Sequence, residues 1–197
     1  MEQRLRMLVS HSTVDTRVTV LWRFINELQI ALDGSGVPVL LVNVVSECGG
    51  KVVSALSSRL TEATNATDVT MMVLTPGYVD SNWCDDEMQE RASRSCLDCP
   101  SRRLFPLMWR NYPWNEVWSR QIEGWGVNLQ DLITDELCAA VEKHLWKPAI
   151  RPPGWHEAIA RTVPALTRFN EEVRTTCTKT MCPAWVDPAV PVPERLD

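Results

Sequence analysis

The chain has 197 residues, 45% of them apolar and 23% charged, which suits one globular domain with some extension and excludes a disordered chain. A formal charge of −5, without a long Lys/Arg run, removes the electrostatic case for a nucleic-acid partner. No stretch is apolar and long enough to span a bilayer, and the apolar run after "MEQRLR" is too short for a signal-peptide core, so the expected location is cytoplasmic, with no membrane partner.

The first elements alternate. "LRMLVS" (5–10) reads as a short buried strand. From Val14 to Leu32 the apolar positions Val18, Leu21, Ile25, Leu28 and Leu32 recur at spacings of three and four, which is one helical stripe. "GSG" at 34–36 supplies a flexible stop, and "VPVLLVNVV" (37–45) is β-branched and apolar enough for a strand buried on both faces. "SECGGK" (46–51) is a loop, and Val53, Leu56, Leu60 and Ala63 mark a second helix.

"VTMMVL" (69–74) predicts a third strand, and "TPGYVDSNWCDDEMQE" leads from it into a third helix. "RLFPLMW" (103–109) predicts a fourth strand, pushed toward an edge or an irregular end because Pro106 has no N–H to donate. Past residue 110 the signal weakens. Pro113 suits a helix start, Leu129, Leu132, Ile133, Leu137, Val141 and Leu145 predict a helix over 129–146, and a last helix after Pro153 is interrupted or kinked at Pro164. The domain is expected to span 1–175, followed by a Pro-rich tail, 176–197.

Strand alternating with helix implies an α/β fold. The expected form is a flavodoxin-like doubly wound parallel sheet, strand order 2-1-3-4-5, with helices on both faces. In such a sheet ligands bind at the strand carboxyl ends where the order reverses, here between the first and third strands. The segments leaving those ends are "SHSTVD" (10–15) and "TPGYVDSNWCDDE" (75–87), with the loop 46–51 nearby.

The cysteines do not point elsewhere. Seven of them, an odd number, with no secretion signal argue for reduced thiols. Cys96 and Cys99 have the tight spacing of a zinc pair, but Cys177 and Cys182 do not, and no metal site is expected. The nine tryptophans follow no repeat period and read as core and surface anchors.

"LVSHSTVD" after a charged start resembles the first box of Toll/interleukin receptor-like (TIR) domains. "GGKVVSALSSRLTEATNATDVTMMVLTPGYVDSNWCDDEM" is similar, almost element by element, to that family's segment from the second to the third helix, which carries a run like "VLSP.Y" and then "S.WC..E". "LFPLMW" fits its Pro-containing fourth strand. The likeness covers residues 5–110 closely and 110–170 only by element order. Thr75 stands where the family usually has Ser, His11 where it usually has an aromatic, and "NVVSE" lacks the common Asp.

Enzymes of that family cleave the bond between nicotinamide and ribose in NAD+, so the resemblance implies NAD+ as substrate and no cofactor. It implies that Glu87, the acid of "WC..E", is catalytic and that Trp83 shapes the pocket. It also implies self-association through TIR–TIR contacts, with other TIR or effector proteins as further partners, in immune, antiviral or cell-death signalling. The products would be nicotinamide with ADP-ribose or a cyclic form.

Each candidate has a plainer reading beside it. Glu87 lies four residues before Arg91, the spacing of an ordinary helix-surface ion pair, while Asp85 and Asp86 suit a first helical turn, and Asp80 and Glu90 suit a solvated surface. Ser10, His11 and Ser12 could contact phosphate or ribose, or cap the helix that follows. Lys51 could meet a phosphate, but its loop lacks the full phosphate-cradling pattern, and a solvated lysine fits as well. Tyr78 is a substrate-binding candidate that also suits packing, as does Trp109. A non-catalytic TIR interaction module is the alternative function. A small-ligand or response-regulator-type binder would want an acidic cluster after the first strand, where only Asp15 stands.

Overall fold

Five strands form one all-parallel sheet in the order β2-β1-β3-β4-β5. The computed structural model describes residues 4–12, 17–42, 67–79, 104–110, 126–144 and 152–176. In chain order these hold β1 (Leu5–His11), α1 (Val18–Gly34), β2 (Val39–Val42), β3 (Val69–Leu74), α2 (Pro76–Val79), β4 (Leu104–Met108), β5 (Val127–Asn128), α3 (Asp135–Lys143) and α4 (Trp155–Thr176). The flavodoxin-like arrangement expected from the alternation is the arrangement present. In register, β1 sets Leu5 beside Val39 of β2 and His11 beside Val73 of β3. Every residue of β3 is buried, as a central parallel strand requires.

Strand alternation divides the side chains between two faces. Leu5, Met7 and Val9 of β1, Val69, Met71 and Val73 of β3, and Phe105 and Leu107 of β4 belong to the main core. They share it with the α1 stripe Leu21, Phe24, Ile25, Leu28 and Leu32, and with Trp155, Leu166 and Phe169 of α4. The opposite face carries a second cluster, Met72 and Leu74 with Tyr78 of α2. Phe24 is the hub of the main core, meeting Trp109 and Trp155 edge to face at 5.0 and 5.7 Å. Trp155 also donates its indole N–H to Glu27, which accepts from Arg23 on its other oxygen.

Local chemistry sets the element ends. Val37 N–H reaches Leu32 O and Gly36 N–H reaches Asp33 O, a Schellman closure of α1. Of the "GSG" glycines only Gly36 needs its freedom, with φ +68°. Val37 therefore belongs to the closure, and β2 starts at Val39 rather than at 37. At this sheet edge the Gln29 amide serves the strand's outer groups, donating to Val39 O and accepting from Leu41 N–H.

The far edge departs from expectation. Pro106 does not put β4 at an edge, because β5 lies beyond it. Trp109 N–H donates to Leu74 O of β3, while Met108 O accepts from Leu129 on the β5 side. Successive parallel-strand residues point their backbone groups to opposite neighbours, so Pro106, in phase with Met108, lacks its N–H on the β5 side. Pairing with β5 begins one residue later, at Leu107 and Val127. Gly126 approaches there so closely that a Cβ would overlap the Pro106 carbonyl oxygen and ring. β5 has two residues, too few for an alternation to register.

Three helices also differ. The helix expected over 129–146 is confined to Asp135–Lys143. Thr134 accepts from Leu137 N–H and caps it, with Asp135 and Glu136 in the first turn, while Leu129 and Ile133 are buried in the turn before. α4 runs through Pro164 without interruption. α1 begins at Val18 rather than Val14, behind Arg17 in the left-handed region (φ 46°, ψ 69°).

Candidate functional site

The carboxyl ends of β1 and β3 lie side by side, and the sequence candidates among the described residues, Ser10, His11, Ser12 and Tyr78, gather there. All four are buried, none more than 7% exposed. Lys51, Trp83 and Glu87 lie outside the described residues, as do Asp80, Asp85, Asp86 and Glu90 and the cysteine pairs 96/99 and 177/182. Cys138 is a free, buried thiol whose pKa burial raises. Among the described residues no group of His, Cys, Asp or Glu could hold a metal ion.

The strand pleat separates the candidates into two groups. Ser10 is in phase with Leu8, and its hydroxyl accepts from the Tyr78 phenol at 3.2 Å beside Met72 and Leu74. Tyr78 is set by "TPGY": Thr75 is fully buried and its Oγ1 accepts from Tyr78 N–H at 3.2 Å, with Pro76 at the first helical position. The Thr75–Pro76 pair was a legible helix start, and Thr75 is a positioning residue that the sequence reading left aside.

His11 turns to the other face, where its ring meets Trp22 of α1 edge to face at 5.1 Å. Its Nδ1 lies 3.2 Å from Ser12 O. A carbonyl only accepts, so Nδ1 carries the proton and Nε2 presents a bare lone pair. That Nε2 and the Trp109 indole nitrogen are buried and have no hydrogen-bond partner among the described residues. Burial outweighs the Ser12 bond and lowers the imidazole pKa below 6.5, so the ring is neutral at pH 7. Ser10 and His11, adjacent in sequence, therefore do not share a pocket wall. The capping alternative for these residues does not describe α1, whose N-cap is Arg17.

Two further polar clusters each join residues from separate parts of the chain. Arg17, at the start of α1, bonds Glu142 at 2.9 Å and Asp135 Oδ1 at 3.3 Å, and Arg110, just past β4, reaches the same Oδ1 at 2.7 Å. Beyond β5, Asn128, Gln130, Asp131 and Arg161 line an open cleft of about 430 Å³. Arg161 there donates from Nη1 to both Asp131 oxygens and to Asn128 O, and from Nη2 to Glu157, so its guanidinium is engaged by the cleft's own groups.

The chain matches no protein-family model and no curated protein. No helix among the described residues is long and apolar enough to cross a membrane.

Proposed function

We propose that this chain is an NAD+ nucleosidase of the TIR type, cleaving the nicotinamide–ribose bond with Glu87 as its catalytic carboxylate. The observation that carries the reading is the strand order. It makes the exits of β1 and β3 neighbours at the reversal point, and the segment bearing Trp83 and Glu87 follows β3 in the chain. Fold alone names no reaction. The chemistry rests on those residues and on their likeness to the TIR "S.WC..E" motif.

The reaction suits a single acid. Nicotinamide leaves a pyridinium as a neutral base, so no proton has to reach it, unlike the leaving group of an ordinary glycoside. The ribose that remains develops oxocarbenium character, and one carboxylate beneath it stabilises that charge while holding the ribose hydroxyls. Trp83, four residues before Glu87 in the sequence, would supply a flat apolar wall. The products are nicotinamide and ADP-ribose or a cyclic ADP-ribose. Activity would follow self-association of the cytoplasmic chain in immune or cell-death signalling.

The test is nicotinamide release from NAD+ by concentrated protein, compared with Glu87→Gln. Release by the wild type and its loss in the variant supports the proposal. No release from assembled wild type, or equal release from the variant, rejects it. A second reading, a non-catalytic TIR interaction module, is favoured by the burial of Ser10, His11, Ser12 and Tyr78, which are packed as scaffold. That reading expects self-association without nicotinamide release.

A further inference from the structure

Of the three histidines in the chain, His11 is the buried one, while His144 is half-buried and His156 exposed. It is the last residue of β1, in register with Val73 of β3, and its ring meets Trp22 of α1 edge to face at 5.1 Å. Nδ1–H is used on Ser12 O, and Nε2 has no hydrogen-bond partner among the described residues. Neutral, the ring fits this place as a flat wedge with one bare lone pair. Protonated, it would carry a buried charge and a second N–H with no acceptor, and both are costly away from water.

We propose that His11 is an acid-operated latch: proton uptake at Nε2 drives the ring away from Trp22 and frees the end of β1 from the start of α1, while the rest of the sheet stays folded. Among the described residues nothing around the ring compensates a charge. β3 presents Val73, α1 presents Trp22, and the Ser12 carbonyl is already used by Nδ1. The charged residues of α1 nearest to Trp22 in the chain are cations, and their carboxylates are engaged with them, Asp135 and Glu142 on Arg17 and Glu27 on Arg23. Asp15, in the connection to α1, lies outside the described residues and is tested directly below. The burial that lowers the His11 pKa is the same cost, read from the folded side.

The opening stays local because this corner is the least supported part of the β1–α1 pair. Among the described residues β2 pairs with β1 only from Leu5 to Leu8, and Val9 to His11 pair with β3 alone. α1 starts without a side-chain cap or an acid in its first turn, behind Arg17 in the left-handed region. Farther along, Phe24 with Trp109 and Trp155, then Leu28 and Leu32, hold the helix to the main core. Sparsely supported segments open at a lower free energy than the whole domain. The latch lies at the β1 exit, beside the reversal point of the sheet, and does not rest on Glu87 chemistry.

The test is amide hydrogen exchange of the full chain, followed by NMR from pH 7.5 to 5 and corrected for the intrinsic effect of pH on exchange. Below pH 6.5 the opening constants of the amides at 9–11 and 20–22 should rise about tenfold per pH unit, the slope for one proton taken up on opening, until the folded imidazole itself titrates. Amides of β4 and α4 should keep their protection. In His11→Phe, which keeps a flat ring that cannot titrate, the rise should vanish, and Asp15→Asn should leave it in place. In the wild type, a readout that needs no variant to fold, the nuclear Overhauser contact between the His11 and Trp22 rings should weaken as the imidazole titrates. A uniform loss of protection across all elements, a rise that survives His11→Phe or vanishes in Asp15→Asn, or an imidazole that titrates with its Trp22 contact intact would overturn the proposal.

Discussion

The Tyr78 hydroxyl lies 3.2 Å from Ser10 Oγ, across 68 residues of sequence, and joins the end of β1 to the first turn after β3. Both residues are 4% exposed, so the bond forms away from bulk water. Tyr78→Phe keeps the ring and removes the bond, and should lower unfolding free energy by about 1 kcal/mol in urea titrations. Ser10→Ala should cost a similar amount. In a double-mutant cycle the two should couple by at least about 0.5 kcal/mol, and strict additivity would show that the bond contributes nothing.

His11 makes stability depend on pH with a definite sign. Burial lowers its folded pKa below 6.5, so the folded chain binds its proton less readily than the unfolded chain. Its contribution is full above pH 6.5 and is lost as pH falls from there toward the depressed folded value. Nitrogen-15 shifts of the imidazole at pH 7 should report a neutral ring protonated at Nδ1, with a titration midpoint below 6.5. Urea midpoints from pH 7.5 to 5 should fall less steeply in His11→Gln than in wild type. A titration midpoint at or above 6.5 contradicts this account.

Gly126→Ala should destabilise the β4–β5 edge. The added Cβ overlaps the carbonyl oxygen and ring of Pro106, neither of which is a flexible side-chain end. Overpacking against such atoms costs about 1–3 kcal/mol, readable as a lower melting temperature. Pro106→Ala in the same background should recover only part of the loss, because the carbonyl remains. Full recovery would place the conflict in the ring alone.

Glu27 accepts from Arg23 on one oxygen and from the Trp155 indole on the other. Glu27→Gln turns one acceptor into a donor facing a donor, in a site where the Glu27 and Arg23 side chains are 13% and 9% exposed. The expected loss is about 1–3 kcal/mol. Arg4→Gln breaks a pair exposed at 47% and 44%, and should change stability by less than about 0.5 kcal/mol. Equal effects would mean that burial does not govern these pairs.

Elements with a long periodic signal were legible in the sequence. The α1 stripe through Leu21, Ile25 and Leu28 is buried as its spacing predicts, and the apolar run 69–74 coincides with β3. Helix 129–146 was overdrawn because Leu129, Leu132 and Ile133 keep helical spacing through a tight turn, and only the Thr134 cap marks the true start. β5 was invisible, since two residues cannot display an alternation. The neighbouring exits of β1 and β3 were legible as a place, because the alternation implied the strand order that sets them side by side.

The sequence by itself determined the α/β alternation, the strand order expected of it, and which segments leave the strand ends, because hydrophobic period and chain order are local properties. Only the tertiary structure decided that Ser10 faces Tyr78 while His11 faces Trp22, because neighbouring strand residues point to opposite sides of the sheet. It alone brought Arg17 and Arg110 onto Asp135, since no spacing records which strand exits become neighbours in space.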